Sequence, residues 1–240
     1  MIVREVMTTD LVTVEPDDTL SHAVYVLRQH QFHHLPVVIR GYTEHKRYST
    51  KTRPALIYKG LLTSAEIEKA IALTRQEEQQ HPLARPWQEQ KIIEILSPTL
   101  LTMAPTTSLT TAAQSLVERG LNCAPVLEPG QGEYETQDLL VGLLTRSDLL
   151  LALARLLGAF EPGTQVDIPL TEQHMATLAK ALLIADELHI GVQNILITST
   201  SVQTTRCASL RLCTINPGPF LCRLAQEDIH PFDAITRGGA

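Results

Sequence analysis

The spacing of apolar and polar positions changes period several times along the chain. From Leu11 to Pro16, "LVTVEP", the apolar positions are β-rich and read as a short strand, which Pro16 closes. The polar run "DDTL" then opens a stretch in which Leu20, Ala23, Val24 and Leu27 recur at helical spacing, with the polar residues placed to cap it. Apolar runs at "HLPVVI" and "ALIYKGLLT", separated by a polar segment, predict the two strands of a hairpin. "SAEIEKAIALT" returns to helical spacing and predicts an amphipathic helix over 65–80. Pro82 and Pro86 break the chain there, and "WQEQKIIEIL" is expected to restart it as a linker helix.

The same grammar is written twice. Residues 12–38 lie over 101–127 without a gap at an offset of 89, with Thr13/Thr102, Pro16/Pro105, Leu20/Leu109, Ala23/Ala112, Leu27/Leu116, Pro36/Pro125 and Val37/Val126 identical. "GLLTSAEIE" (60–68) then matches "GLLTRSDLL" (142–150) at an offset of 82, so the first copy carries seven extra residues in its hairpin. Each copy reads β-α-β-β-α. One unit of this size buries its sheet face poorly, and two are expected to pack against each other. The two phrases differ at the closing acid, Glu66 in the first and Asp148 in the second.

Composition narrows the function classes. At 240 residues, 44% hydrophobic but only 4% aromatic, the chain suits two or three domains cored by Leu, Val, Ile and Ala. A net charge of -6 argues against dedicated nucleic-acid binding. Cys123, Cys207, Cys213 and Cys222 form no C-x-x-C pair, so neither a zinc knuckle nor a redox dithiol is written here. No apolar run reaches the ~20 residues of a membrane span, and "MIVREVMTTD" has no signal-peptide core, so no membrane association and a cytoplasmic location are expected. Residues 40–59 hold six Lys/Arg against one Glu and read as a basic hairpin insertion, a solvated tip or an element that steers anions. His30, His33 and His34 lack a further ligand at metal spacing, and no nucleophile–base constellation appears, so neither metal nor catalysis is expected.

The opening "VREVMTTDLVTVEPDDTLSHAV", the "HHLPVV" strand with its "NCAPVL" counterpart, and the two Gly-Leu-Leu-Thr-x-x-acid phrases resemble a pair of cystathionine-β-synthase (CBS) domains, the Bateman module. The likeness covers residues 1 to about 156. It implies an α/β (α+β) fold in which two units form a disc and adenosine-containing ligands bind in clefts between them. Within the phrase, the resemblance gives Gly a close backbone approach to the ligand, Thr a phosphate contact at a helix N-terminus, and the acid the ribose hydroxyls. One cleft is expected to join Leu143, Thr145, Ser147 and Asp148 to Leu11, Val12, His33, His34 and Pro36. The other joins Leu61, Thr63, Ala65 and Glu66 to Leu100, Leu101, Asn122 and Cys123, and is expected to be weak or empty. No Lys stands at the phosphate positions, so AMP or a related adenosine compound is expected rather than ATP, with no required cofactor. Thr145-x-x-Asp148 is equally an ordinary helix-start signature.

After Pro162-Gly163 the pattern changes. "TQVDIPL", "VQNILITSTSV" and "RCASLRLCTI" read as strands, "EQHMATLAKALLIADELHI" and "PGPFLCRLAQEDI" as helices, giving β-α-β-β-α with room for one more strand. This ferredoxin-like order resembles an ACT domain, and a CBS pair followed by one resembles the bacterial acetoin-utilisation-type CBS–ACT proteins. The Gly-containing ligand turn of ACT domains is absent from "PLTEQHMATL", so association rather than amino-acid binding is expected. The expected organisation is 1–80, 81–157 with its linker helix, 163–230 and a tail at 231–240. The expected role is a homodimeric or larger regulatory sensor with an enzyme partner; a ligand-free assembly scaffold, or an accessory subunit in acetoin or branched-chain metabolism, is the alternative.

Overall fold

The computed structural model describes residues 1–42, 54–80, 85–130, 135–170, 175–199 and 206–232. The chain divides into two compact units, Met1–Leu150 and Leu151–Ala240. Most of the basic insertion, residues 171–174 of the segment compared with the ACT ligand turn, and residues 233–240 of the expected tail lie outside the described residues.

In the first unit the elements are α1 (Leu20–His30), β1 (His34–Tyr42), β2 (Pro54–Thr63), α2 (Ser64–Gln80), α3 (Leu109–Glu118), β3 (Cys123–Pro129), β4 (Asp138–Thr145) and the start of α4 (Arg146–Leu156). The polar start signals act as caps: Thr19 accepts from the His22 amide at 3.3 Å and Ser108 from that of Thr111 at 3.1 Å. Both helices then close with six-to-one bonds, Phe32 N to Leu27 O and Leu121 N to Leu116 O, each 2.9 Å. The left-handed position this closure requires is held by Gly120 at φ 65° in the second repeat but by Gln31 at φ 56° in the first.

The four strands form one sheet in the order β1-β2-β4-β3. Its centre is an antiparallel pair between Ile57 and its own repeat counterpart, Leu139. Bulges fall at equivalent places, Val37/Val38 and Val126/Leu127. These are the marks of an internal pseudo-twofold. Each repeat packs its own apolar core, around Leu20, Leu35 and Leu62 in the first and around Leu116, Ala124 and Leu144 in the second.

The repeat is longer than its strands and helices. Val3 and Arg4 donate to Thr107 and Pro105 carbonyls, and Ile92 and Ile93 donate to Asp18 and Pro16 carbonyls, at 2.9 and 3.0 Å in both cases. Val3 joins the core of the second repeat and Ile92 that of the first. The two lead-in segments are therefore exchanged, each repeat being sealed by the chain that precedes the other.

This exchange overturns the expected linker helix. Over the described residues, Trp87–Glu89 and Ile92–Glu94 are single 3-10 turns. The amides of Ile92 and Ile93 bond to the loop before α1, and Gln90 O accepts from Leu20 N at 2.8 Å, so these groups are not available to an i→i−4 ladder. Trp87 packs against the first core. "LVTVEP" likewise forms no strand of its own, only the parallel bridge Val14–Val37, matched by Met103–Val126.

The second unit contains β5 (Thr164–Leu170), α5 (Ala176–Glu187), β6 (Val192–Ser199), β7 (Arg206–Leu212) and α6 (Gly218–Gln226). Its antiparallel sheet has the order β5-β7-β6. Alternate residues of β5 and β7, among them Ile168, Ala208 and Leu210, meet Ala181, Ile184, Phe220 and Leu224 of the helices in the core. Beyond α6, Phe232 N donates to Asp167 O of edge strand β5 at 2.8 Å.

Candidate functional site

Both phrases fold into the same local device. Thr145 N and Oγ1 donate to Asp148 Oδ2 at 2.8 Å, and Asp148 N returns a bond to Thr145 Oγ1 at 3.1 Å. Thr63 N and Oγ1 donate to Glu66 Oε2 at 2.9 Å, and Glu66 N donates to Thr63 Oγ1 at 3.2 Å. Each is a capping box at the start of α4 or α2, with the acid at the third helical position. Ser147 and Ala65 stand exposed in the first turn of these helices.

The glycine that opens each phrase answers to protein packing. A side chain on Gly142 would meet Met7 Sδ at 2.5 Å and Thr8 O at 3.1 Å; one on Gly60 would meet Leu96 Cγ at 2.8 Å. Met7 and Leu96 are repeat counterparts on the exchanged lead-ins. The close approach that the resemblance reserved for a ligand is thus taken up here by the chain itself.

Around the second phrase, Thr8 pairs with Leu143 through two 2.9 Å backbone bonds, and Thr8 Oγ1 donates to Asp148 Oδ1 at 3.4 Å. Arg146 N donates to Asn122 O at 2.9 Å, and Cys123 lies opposite Thr145 across the β3–β4 ladder. Leu11 and Val12 follow Thr8 half-buried, and Val12 packs against the first core. Around the first phrase, His34 lies opposite Thr63, Pro36 opposite Leu61, and Ser64 N donates to His33 O at 3.0 Å. Leu100 and Leu101 follow Thr99, whose hydroxyl meets that of Tyr58 at 2.6 Å.

The hairpin register places the residues before β1 and β3 beside the phrase of their own repeat. The histidine pair is held by the first phrase, and the carboxylate that acts on His34 is Glu66 rather than Asp148. Asn122 and Cys123 are held by the second phrase. The reason is the hairpin ladder: the residues before β1 and β3 sit across from the last residues of their own β2 and β4. Burial, then the neighbouring His33, lowers the His34 pKa, and Glu66 opposes that shift. Burial pushes the Cys123 thiol up to about 12, so it stays protonated and unreactive.

Sequence reasoning missed Thr8, Tyr58 and Thr99. The signal was within reach for Thr8, because the offset of 89 extends back to Val3/Ile92 once the 3-10 turns are aligned. A surface hollow lined by Ser21, Val24, Tyr25, Arg28 and Gln29 lies on α1 and includes no residue of either phrase. Among the described residues no group of three His, Cys, Asp or Glu could hold a metal ion, and no helix is long and apolar enough to cross a membrane.

Comparison with known proteins agrees with the internal repeat. The CBS domain family model matches residues 3–48 and 92–155. The chain is 27% identical over 148 residues to the CBS domain-containing protein YhcV of Bacillus subtilis, covering 61% of this chain and 81% of that one. Similar solved structures include an acetoin utilization protein (AcuB) from Vibrio cholerae, at 20% identity and TM-score 0.46, covering 68% of this chain and 98% of that one. Another is CBSX2, from Arabidopsis thaliana, in complex with AMP, at 18% identity and TM-score 0.44, covering 64% of this chain and 96% of that one. The two stretches that the family's model matches coincide with the two copies of the internal repeat, so the N-terminal region of this chain is similar to a pair of CBS domains.

Proposed function

We propose that the CBS pair is a regulatory sensor that binds an AMP-like adenosine compound at both phrases. The observation that carries this reading is the contact of Thr8 with Leu143 and Asp148, in which the lead-in of one repeat forms a wall against the helix start of the other. Each helix N-terminus presents a favourable dipole and an exposed second position, Ser147 or Ala65, to a phosphate. Asp148 and Glu66 offer carboxylate oxygens to vicinal ribose hydroxyls. The site residues remain Leu11, Val12, Leu143, Thr145, Ser147 and Asp148 at the second phrase, joined by Thr8 and Asn122. At the first they are Leu61, Thr63, Glu66, Leu100 and Leu101, joined by His33, His34 and Pro36. In this reading the imidazoles, which lie beside the first phrase, strengthen its site toward a phosphate.

Binding acts by favouring one arrangement of the pair over another. The C-terminal unit, with sheet order β5-β7-β6 and its two covering helices, serves as an ACT-like association domain in a cytoplasmic homo-oligomer that regulates an enzyme partner and is not itself an enzyme. Residues 1–80, 81–157 and 163–230 are its working domains. One observation favours the scaffold reading instead: both acids are already hydrogen-bonded within their own capping boxes. Calorimetric titration with AMP and adenosine separates the two. The sensor reading predicts saturable heat that Asp148→Ala diminishes, and no heat at millimolar ligand would leave the scaffold.

A further inference from the structure

The pseudo-twofold is broken at one place that neither the phrases nor their acids explain. Tyr58 of β2 is the repeat counterpart of Leu140 in β4. Its hydroxyl lies 2.6 Å from Thr99 Oγ1, and either group can donate. Thr99 stands directly before Leu100 and Leu101, the lead-in wall assigned to the first-phrase site. The next carbonyl along that wall, Leu100 O, accepts from Arg119 Nη1 at 2.7 Å. The corresponding wall at the second-phrase site is Asp10–Val12, and the counterparts of Tyr58 and Arg119 are Leu140 and His30. Leucine has no polar atom to give, and among the described residues no such brace joins Asp10 or Leu11. Tyr58 also lies within electrostatic reach of Glu66 and Cys123. Burial pushes its phenol up to about 12, which leaves the hydroxyl protonated and able to donate across the physiological range.

We propose that Tyr58, through Thr99, is a positioning residue that sets the 99–101 wall of the first-phrase site for its ligand, giving that site a preorganised wall the second-phrase site lacks. The inference rests on the adenosine-binding reading above. Fixing a loop before binding removes an ordering cost at the moment of association, so loss of the brace lowers affinity at this site alone.

The test uses the full chain and AMP, with each site measured in the absence of the other. Asp148→Ala reports the first-phrase site and Glu66→Ala the second. In the Asp148→Ala chain, Tyr58→Phe or Thr99→Val lowers AMP affinity about fivefold, the worth of one ordinary hydrogen bond, whereas Thr99→Ser, which keeps the hydroxyl, restores it. In the Glu66→Ala chain the same changes leave affinity within about twofold. A purely structural role would weaken both sites equally, and that result overturns the inference, as does full affinity in the Asp148→Ala, Tyr58→Phe chain. If wild type binds AMP but the Asp148→Ala chain does not, the inference falls while the sensor reading stands. If wild type binds neither AMP nor adenosine, the sensor reading falls and takes the inference with it. Thermal unfolding of each variant confirms that the compared chains are folded.

Discussion

The two repeats of the first unit share a skeleton and differ in what is attached to it. Caps, bulges, six-to-one helix closures and capping boxes recur at equivalent positions. The flanking chemistry does not. The first phrase ends in Glu66 beside two histidines and a wall tied by Tyr58 and Arg119; the second ends in Asp148 beside Asn122 and Cys123, with Thr8 on its carboxylate. What folds the repeat is duplicated, whereas what would discriminate a ligand has diverged. Variation of the flanking side chains is tolerated because each capping box is closed by the phrase's own Thr and acid, and the flanks contribute only backbone carbonyls to it.

The largest effects should fall on the shared part. Leu62 and Leu144 are repeat counterparts with no exposed surface. Replacing either with Ala should cost about 2–5 kcal/mol in denaturant unfolding. Similar losses at both positions support equivalent cores, and a loss confined to one would break the symmetry.

Next comes the divergent part. His33→Ala with His34→Ala should weaken AMP about tenfold, as expected when a phosphate loses charge-assisted or neutral donors. Adenosine, which has no phosphate, should be little affected. Equal losses for both ligands in calorimetry would remove the phosphate role from the histidines.

A smaller effect tests the helix ends. Gln31 occupies at φ 56° the position that Gly120 fills in the other repeat. Gln31→Gly should raise stability by about 0.5 kcal/mol and Gly120→Ala lower it by about 1 kcal/mol, read from denaturant midpoints. Opposite signs at counterpart positions would show that the two ends differ in strain rather than in packing.

The smallest effect is with pH. Because His34 titrates below its ordinary value of about 6.5 in the folded chain, the unfolded chain takes up a proton first as pH falls. Its contribution is thus complete above that value and lost as pH drops through the lower folded one. The melting temperature should decline on acidification from neutrality, and His34→Gln should remove part of that slope. An unchanged slope would place the titration elsewhere.

Much of this was legible in the chain because local signals agree with one another. The offset of 89 aligned Thr19 with Ser108 as caps, and the apolar runs located β1 to β4. In the second unit, the strand at 164–170 and the helix before Glu187 came from the same periodicities. What periodicity could not supply was tertiary. "KIIEIL" has apolar residues suited to a helix, yet its amides are claimed by Pro16 and Asp18 of a distant loop. The grouping of His33 and His34 with Glu66 follows from hairpin register, which a motif read along the chain does not contain. Gly60 and Gly142 looked like ligand contacts because their packing partners, Leu96 and Met7, belong to exchanged segments far away in sequence.

The central claim, two diverged sites built on one duplicated skeleton, is tested most directly by the stoichiometry of AMP binding to the full chain and to Asp148→Ala and Glu66→Ala. Two equivalents in the wild type and one in each variant are expected. A stoichiometry that neither substitution alters, in chains that still bind AMP, would contradict it.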